Sequence, residues 1–228
     1  MNDSKIPNRV PSGSKDLRIA LGFALYLHAA WLMAWLFEQL LEKQFEVLPT
    51  SGSRSAYWFV AKILLWVLPS LFVIRRSSQP LREVMGFDRV RAILVWGGGI
   101  GLALGSTAFI TKTVNHQPFI PSEIGWPFFN AVFVAPIVEE LAFRGVILGF
   151  LVNRYRFLAA NVLSSVLFLT IHMVGWYFQG RLMANLLMPV GGALSIFFIG
   201  LILGFVAHKS RSVAASTLTH LLNNLASA

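Results

Sequence analysis

Long apolar runs separated by short polar or basic stretches dominate the pattern of this 228-residue chain. Each run approaches the roughly 20 residues that an α-helix needs to cross a bilayer. The pattern predicts seven helical spans, at residues 19–37, 56–74, 92–110, 126–152, 157–178, 190–207 and 212–228. We therefore expect an all-α fold, a polytopic transmembrane helical bundle.

Composition supports this prediction and narrows the chemistry. Hydrophobic residues make up 56% of the chain and charged residues 13%, whereas roughly a quarter of the residues of soluble domains are charged. Residues 17–228 are predicted to form a single transmembrane domain after a polar, disordered tail at 1–16. The chain has no cysteine, which excludes disulfides, thiolate metal ligands and a cysteine nucleophile.

The net charge of +9 is explained by membrane topology. Lysines and arginines flank the apolar runs instead of forming one basic face, so we predict no nucleic-acid partner. Thirteen of them flank one side of the predicted bundle and four flank the other. By the positive-inside rule the N-terminus is cytoplasmic. The small size and the lack of a eukaryotic targeting signal favour a multi-pass protein of a prokaryotic plasma membrane.

Two features of the early spans are predicted to be structural. Gly97, Gly101 and Gly105 recur every four residues in the third span, which places them on one helix face suited to close packing. Lys62 lies towards one end of the second span, where a long side chain reaches the interface without any functional role.

Polar and ionisable side chains are concentrated in the last four predicted spans, which we expect to form the core of a functional site. Such residues are rare in hydrocarbon and mark functional sites. Pro136 leaves two alternatives for the local structure, a new helix beginning there or one continuous helix. The candidate residues are Glu139, Glu140, Arg144, His172, His220, Asn223 and Asn224.

The spacing of these residues separates the two adjacent carboxylates. Glu140 and Arg144 are four residues apart and can form an ion pair on one helix face, which leaves Glu139 free to point elsewhere. His220 and Asn224 share a helix face for the same reason.

These side chains can hydrolyse an amide bond. A carboxylate shielded from bulk water suits a general base that activates a water, and imidazole and carboxamide groups can stabilise an oxyanion. We assign Glu139 as the base and His172 as the residue that positions the water or shares its proton. His220 and Asn224 stabilise the oxyanion, while Arg144 holds Glu140. Two alternatives are a structural polar network that locks the helices together and a proton relay in a transporter.

Three motifs resemble those of a known family, the CAAX-protease and bacteriocin-processing intramembrane endopeptidases, which include Rce-type prenyl endopeptidases and immunity-type relatives. The first motif is Glu-Glu-x-x-x-Arg, at residues 139–144. Phe-x-x-x-His follows at 168–172 and His-x-x-x-Asn at 220–224. All three occur in order on successive late spans, and the resemblance covers about residues 125–226.

The resemblance implies an endopeptidase that cleaves near the C-terminus of a membrane-embedded or lipid-modified protein or peptide. It also implies that Phe168 and Asn223, within the matching motifs, contact substrate. The family has been described both as metallopeptidase and as glutamate-dependent. Because no His-Glu-x-x-His helix is present, no cofactor or metal ligand is assigned, and a divalent metal such as zinc is the less favoured alternative. A non-proteolytic scaffold or immunity-type binding protein is the competing function.

Overall fold

A computed structural model of the protein describes residues 13–45, 50–77, 79–114, 116, 118–119 and 124–228. Within these ranges the regular structure is entirely helical. The α-helices are α1 (Gly13–Phe45), α2 (Ser51–Lys62), α3 (Leu68–Arg76), α4 (Leu81–Met85), α5 (Val90–Ala92), α6 (Gly99–Val114), α7 (Trp126–Phe129), α8 (Ala135–Glu140), α9 (Gly149–Leu151), α10 (Phe157–Phe178), α11 (Leu182–Leu187), α12 (Ala193–Ser210) and α13 (Val213–Ser227). Wider π-helical turns connect some of them, at Ile63–Val67, Ile93–Gly98, Asn130–Val134 and Leu141–Leu148.

The all-α membrane bundle predicted from the sequence is confirmed. Among the described residues, five helical segments are long and apolar enough to cross a membrane: Ser14–Phe45, Ser51–Arg76, Leu81–Val114, Phe157–Phe178 and Ala193–Ser210. Large apolar side chains such as Leu25, Leu102 and Leu158 are exposed on these segments. Extensive apolar surface of this kind is suited to contact with lipid.

Two of the seven predicted spans, at residues 126–152 and 212–228, are not among these five segments. Residues 126–151 are helical throughout but contain Glu139, Glu140 and Arg144. The final helix α13 has 15 residues, fewer than the roughly 20 of a typical span. A total of seven spans therefore stays a prediction.

Several helix boundaries differ from the predicted ones. Helix α1 begins at Gly13, so residues 13–16 of the predicted disordered tail are helical, and residues 1–12 lie outside the described residues. This helix also continues to Phe45, beyond the predicted end at residue 37. The prediction was too short because hydropathy detects only the apolar part of a helix and not the polar turns that extend it. Helix α12 begins at Ala193 instead of residue 190, since Gly191 adopts a φ of 82°, which is incompatible with a right-handed helix.

The chain continues as a helix through Pro136. Val134 has helical angles, φ −74° and ψ −48°, so no new helix begins at the proline. A proline removes one backbone hydrogen bond and crowds the preceding turn, and here the wider π-helical turn Asn130–Val134 comes just before it. Of the two alternatives for Pro136, the continuous helix is correct. Glu139 and Glu140 therefore lie away from a helix N-terminus and depend on other side chains for stabilisation.

The segment Leu141–Leu148 forms the centre of the bundle, and all eight of its residues are buried. Helices α1, α3, α10, α12 and α13 contact it. A helix that is apolar on all sides is typical of the interior of a helical bundle. Arg144 is the charged residue of this segment and consequently requires partners supplied by neighbouring helices.

Small residues bring α13 close to α6, as the glycine spacing predicts. A Cβ atom on Gly97 would lie 2.5 Å from the carbonyl oxygen of Ala215, and one on Gly101 would lie 2.7 Å from Leu222. The Thr219 hydroxyl, at 3.0 Å, donates a hydrogen bond to the Gly97 carbonyl. The packing role predicted for these glycines is confirmed, and the close contact fixes α13, which carries His220.

Candidate active site

The candidate site forms where α8, α10 and α13 converge beside the buried central segment. Helix α8 contributes Glu139 and Glu140, α10 contributes His172, and α13 contributes His220. Glu140 and His220 contact each other although they are 80 positions apart in the sequence. The fold therefore brings together the three motifs that the sequence distributes over separate helices.

Glu140 is completely buried and lies at the centre of a hydrogen-bonded cluster. Its Oε1 accepts a hydrogen bond from Nη1 of Arg144 at 2.9 Å, as the four-residue spacing predicts. The same oxygen lies 3.0 Å from Nδ1 of His220. Arg144 also donates from Nη2 to the Gly200 carbonyl of α12, again at 2.9 Å. This cluster ties together the central helix, α12 and α13.

Phe168 lies behind the imidazoles and supports them. The Arg144 guanidinium lies 4.6 Å from the centre of its ring, a cation–π contact. Its ring packs edge-on against His172, with 4.6 Å between centroids, and against His220, with 6.1 Å. Phe168 is only 1% exposed, so direct contact with substrate, as expected from the family resemblance, does not fit this buried position.

Glu139 faces both imidazoles without contacting either directly. Its Oε2 lies 3.9 Å from Nε2 of His172 and 4.0 Å from Nε2 of His220. These distances exceed a direct hydrogen bond and suit a bridging water. The carboxylate is half-buried, in contrast to Glu140. The two adjacent glutamates thus differ in environment as the spacing predicts.

Hydrogen bonds at Nδ1 determine which nitrogen of each histidine is free. Nδ1 of His172 lies 2.7 Å from the Phe168 carbonyl, which can only accept a hydrogen bond, so this nitrogen carries a proton. Nδ1 of His220 carries a proton for the same reason, because its partner Glu140 is a carboxylate paired with Arg144. In neutral imidazoles, both Nε2 atoms therefore present lone pairs towards Glu139.

The two asparagines lie one helical turn beyond His220. Asn224 donates from Nδ2 to the Ala131 carbonyl at 2.9 Å, which anchors α13 to the turn preceding α8. Asn223 donates to Oδ1 of Asn224 at 3.3 Å. Both side chains are half-buried. One of the two amide hydrogens of Asn224 is thus committed to the backbone, which leaves the other for a ligand.

A cavity of about 180 Å³ opens beside Glu139 and His172. Lys62 lines this cavity, although the sequence pattern suggested that it reaches the interface and has no functional role. Helix α2 begins at Ser51, five residues before the predicted span, so Lys62 is about 17 Å from the start of this helix. Glu139 lines the same cavity. An ionisable residue within an apolar span is the signal that could have identified it.

The residues present do not fit a metal centre. Zinc requires three or four ligand atoms at about 2.0–2.2 Å from one point. Among the residues that the structure describes, no group of three or more His, Cys, Asp or Glu side chains is arranged to hold a metal ion. The site instead combines two carboxylates, two imidazoles and a guanidinium.

Comparisons with known proteins agree with the motifs. A family model described as type II CAAX prenyl endopeptidase Rce1-like matches residues 121–226, which include every motif residue of the site. An uncharacterized 24.3 kDa protein of Escherichia coli is 30% identical over 166 residues, which cover 67% of this chain and 75% of that protein. No solved structure matches the chain. The chain belongs to the Rce1-like family of type II CAAX prenyl endopeptidases, a protease family.

Proposed function

We propose that this protein is an intramembrane endopeptidase in which Glu139 activates a water molecule. The arrangement of three atoms carries the proposal: Oε2 of Glu139 has an imidazole Nε2 at 3.9 Å and another at 4.0 Å. Hydrolysis of a peptide bond requires a base, a positioned water and donors for the oxyanion. Glu139 is the base, His172 positions the water, and His220 and Asn224 are the donors; of these residues, Glu139 and His172 line a cavity open to a ligand.

The water is held by two acceptors. It donates one hydrogen to the Glu139 carboxylate and the other to Nε2 of His172, so that an oxygen lone pair points towards the substrate carbonyl. As this oxygen attacks the carbonyl carbon, Glu139 takes one of the water's protons and the carbonyl oxygen becomes an oxyanion. When the carbon–nitrogen bond breaks, Glu139 gives that proton to the leaving amine. The carboxylate is thereby regenerated.

His220 can stabilise the oxyanion only in its doubly protonated form. Its Nδ1 proton is committed to Glu140, and Nε2 can donate to an oxyanion only if it too carries a proton. The free amide hydrogen of Asn224 is the second donor. Glu140 and Arg144 act as positioning residues that orient His220.

The substrate is a membrane-associated or lipid-modified protein or peptide. The family name, type II CAAX prenyl endopeptidase, and the location of the site within apolar helices support this choice. We further propose that residues 17–228 form one transmembrane domain in a prokaryotic plasma membrane, with the N-terminus in the cytoplasm. The lysine and arginine bias of the connections supports this orientation.

Replacement of Glu139 by Gln tests the mechanism. Glutamine preserves the shape of the side chain but cannot take the proton, so cleavage of an S-farnesyl-cysteine peptide should fall to background in proteoliposomes. Glu42→Gln is the matched control, since Glu42 is half-exposed and pairs with Arg54 outside the site.

Unchanged cleavage by the Glu139→Gln variant would contradict the mechanism. A cellular phenotype that survives in both Glu139→Gln and His172→Ala would instead favour a non-proteolytic binding protein. Proton-coupled flux in the same proteoliposomes would favour a transporter.

A further inference from the structure

Four of the seven tryptophans of the chain line the cavity beside Glu139. Its polar side chains, apart from Glu139 and His172, are Lys62 and Gln179. The proposed hydrolysis uses neither Lys62 nor Gln179, and it uses none of the four tryptophans. The tryptophans are Trp31, Trp35, Trp66 and Trp176.

Lys62 is a charged group without a direct partner in this cavity. Among the described residues, no hydrogen bond or ion pair within 4.0 Å joins its ammonium group to another side chain. Arg144, in contrast, is held by Glu140 and by the Gly200 carbonyl. A lysine in an apolar span is energetically costly and usually pairs with a polar group or a ligand. Lys62 therefore has three N–H donors available to a bound molecule.

Two tryptophans of the same cavity also have unused donors. The indole nitrogens of Trp35 and Trp66 are buried and have no hydrogen-bond partner among the described residues. Trp66 as a whole is 3% exposed. Trp35 packs closely against Gly175, another residue of the cavity wall, where a Cβ atom would lie 3.3 Å from the indole ring. Because these two nitrogens are buried, the tryptophans contribute ring surface to the cavity wall, and Lys62 is the donor that a bound molecule can reach.

Lys62 and Glu139 lie at similar depths along their helices. By the rise of an α-helix, Lys62 is about 17 Å from the start of α2, and Glu139 is about 20 Å from the start of α7. Both residues line the same cavity. A peptide bound for cleavage at Glu139 thus has Lys62 beside it.

We propose that Lys62 determines specificity by binding a carboxylate of the substrate, namely the C-terminal carboxylate of the segment released by cleavage. An anion with several acceptor lone pairs satisfies the donors of the Lys62 ammonium group. The cavity, of about 180 Å³ and open on one side, suits the end of a short peptide. This inference rests on the proposed endopeptidase function. An acidic side chain of the substrate has the same chemistry and is distinguished by the experiment.

The experiment compares two versions of one peptide. An S-farnesyl-cysteine peptide ending in three apolar residues is prepared as the free acid and as the C-terminal amide, and kcat/KM is measured for each in proteoliposomes. The wild-type protein should prefer the acid by about tenfold or more, the size expected for loss of a charge-assisted hydrogen bond. Lys62→Gln should reduce this acid-to-amide ratio to about one, and Lys62→Arg should retain most of it. A third peptide, an amide with an internal Glu, reports recognition of an acidic side chain.

Lys112→Gln is the matched control, because Lys112 is another buried lysine of a spanning helix and does not line the cavity. Its acid-to-amide ratio should equal that of the wild type. Equal rates of the wild-type protein on acid and amide would overturn the proposal, as would a preference for the internal Glu alone. A Lys62→Gln variant that loses activity on both peptides equally would assign Lys62 to the charge balance around Glu139 instead.

Binding separates this proposal from the proposed function. The affinities of the acid and amide peptides for the Glu139→Gln variant, measured by microscale thermophoresis, require no cleavage. Tighter binding of the acid, abolished by adding Lys62→Gln, supports the subsite even if the protein cleaves neither peptide. Equal affinities overturn the subsite, even if Glu139 proves essential for hydrolysis.

Discussion

Two charged clusters in this protein use similar residues, but the first is partly exposed, with Glu38 as its one buried member, and the second is wholly buried. At the junction of α1 and α2, Arg54 pairs with Glu38 at 3.1 Å and with Glu42, and the side chains of Arg54 and Glu42 are 44% and 49% exposed. At the centre of the bundle, the side chains of Arg144 and Glu140 are 1% and 0% exposed.

The difference lies in what can replace a lost partner. Water or lipid headgroups can solvate the exposed pair, whose contribution to stability is consequently small. The buried pair has only protein partners, and breaking it leaves a charge without compensation. Because its partners are fixed, Glu140 can also impose one protonation state on Nδ1 of His220. The buried Glu140–Arg144 pair thus holds His220 in one orientation, which the exposed pair could not do.

The largest expected effect is that of Arg144→Leu on stability. This change leaves the Glu140 carboxylate buried and unpaired, so the free energy of unfolding should fall by about 3–5 kcal/mol. Denaturant titration in detergent micelles measures this loss. A double variant, Arg144→Leu with Glu140→Leu, should recover much of the stability because no charge remains uncompensated. A loss below about 1 kcal/mol in the single variant would show that the pair behaves like an exposed one.

A smaller effect is expected from Glu140→Gln on catalysis. Glutamine retains the size of the side chain but not the charge-assisted hydrogen bond that orients His220, so kcat should fall about 100-fold, as for loss of one oxyanion donor. KM should change little, because Glu140 is buried and does not contact substrate. Steady-state kinetics on the farnesylated peptide tests this prediction after cooperative unfolding has confirmed the fold. A large rise in KM with unchanged kcat would assign Glu140 to substrate binding.

The smallest effect is expected from Glu42→Gln in the exposed cluster. Arg54 retains its contact with Glu38, so the free energy of unfolding should change by no more than about 1 kcal/mol. Peptide cleavage should remain at the wild-type rate. A loss of several kcal/mol would mean that the α1–α2 junction is as sensitive as the bundle centre and would remove the contrast between the two clusters.

Features that lie along a single helix were predictable from the sequence. The Glu140–Arg144 contact and the glycine face of residues 97–105 follow from residues that recur every four positions, a spacing set by helix geometry. The motifs containing His172 and His220 were recognised in the same way. Apolar runs predicted the helices themselves, although polar turns that extend α1 left no hydropathy signal.

Contacts between helices were not predictable in this way. Nothing in the local sequence placed Lys62 near Glu139, because the two residues meet only when α2 packs beside the helix that contains α8. The burial of Phe168 beneath Arg144 likewise depends on α10 and the central segment. The path of the chain through Pro136 also remained open, since both helix continuation and helix initiation satisfy the local rules for proline.

By itself, the sequence determined the class of fold, the family and the residue types of the proposed site. The packing of the helices sets which of those residues contact one another and which nitrogen of His220 pairs with a carboxylate. Glu140 meets His220 across two helices at 3.0 Å, and this contact selects the nitrogen that faces Glu139. The physical reason is that periodicity specifies which residues share one helix face, whereas distances between faces are set by the packing of whole helices.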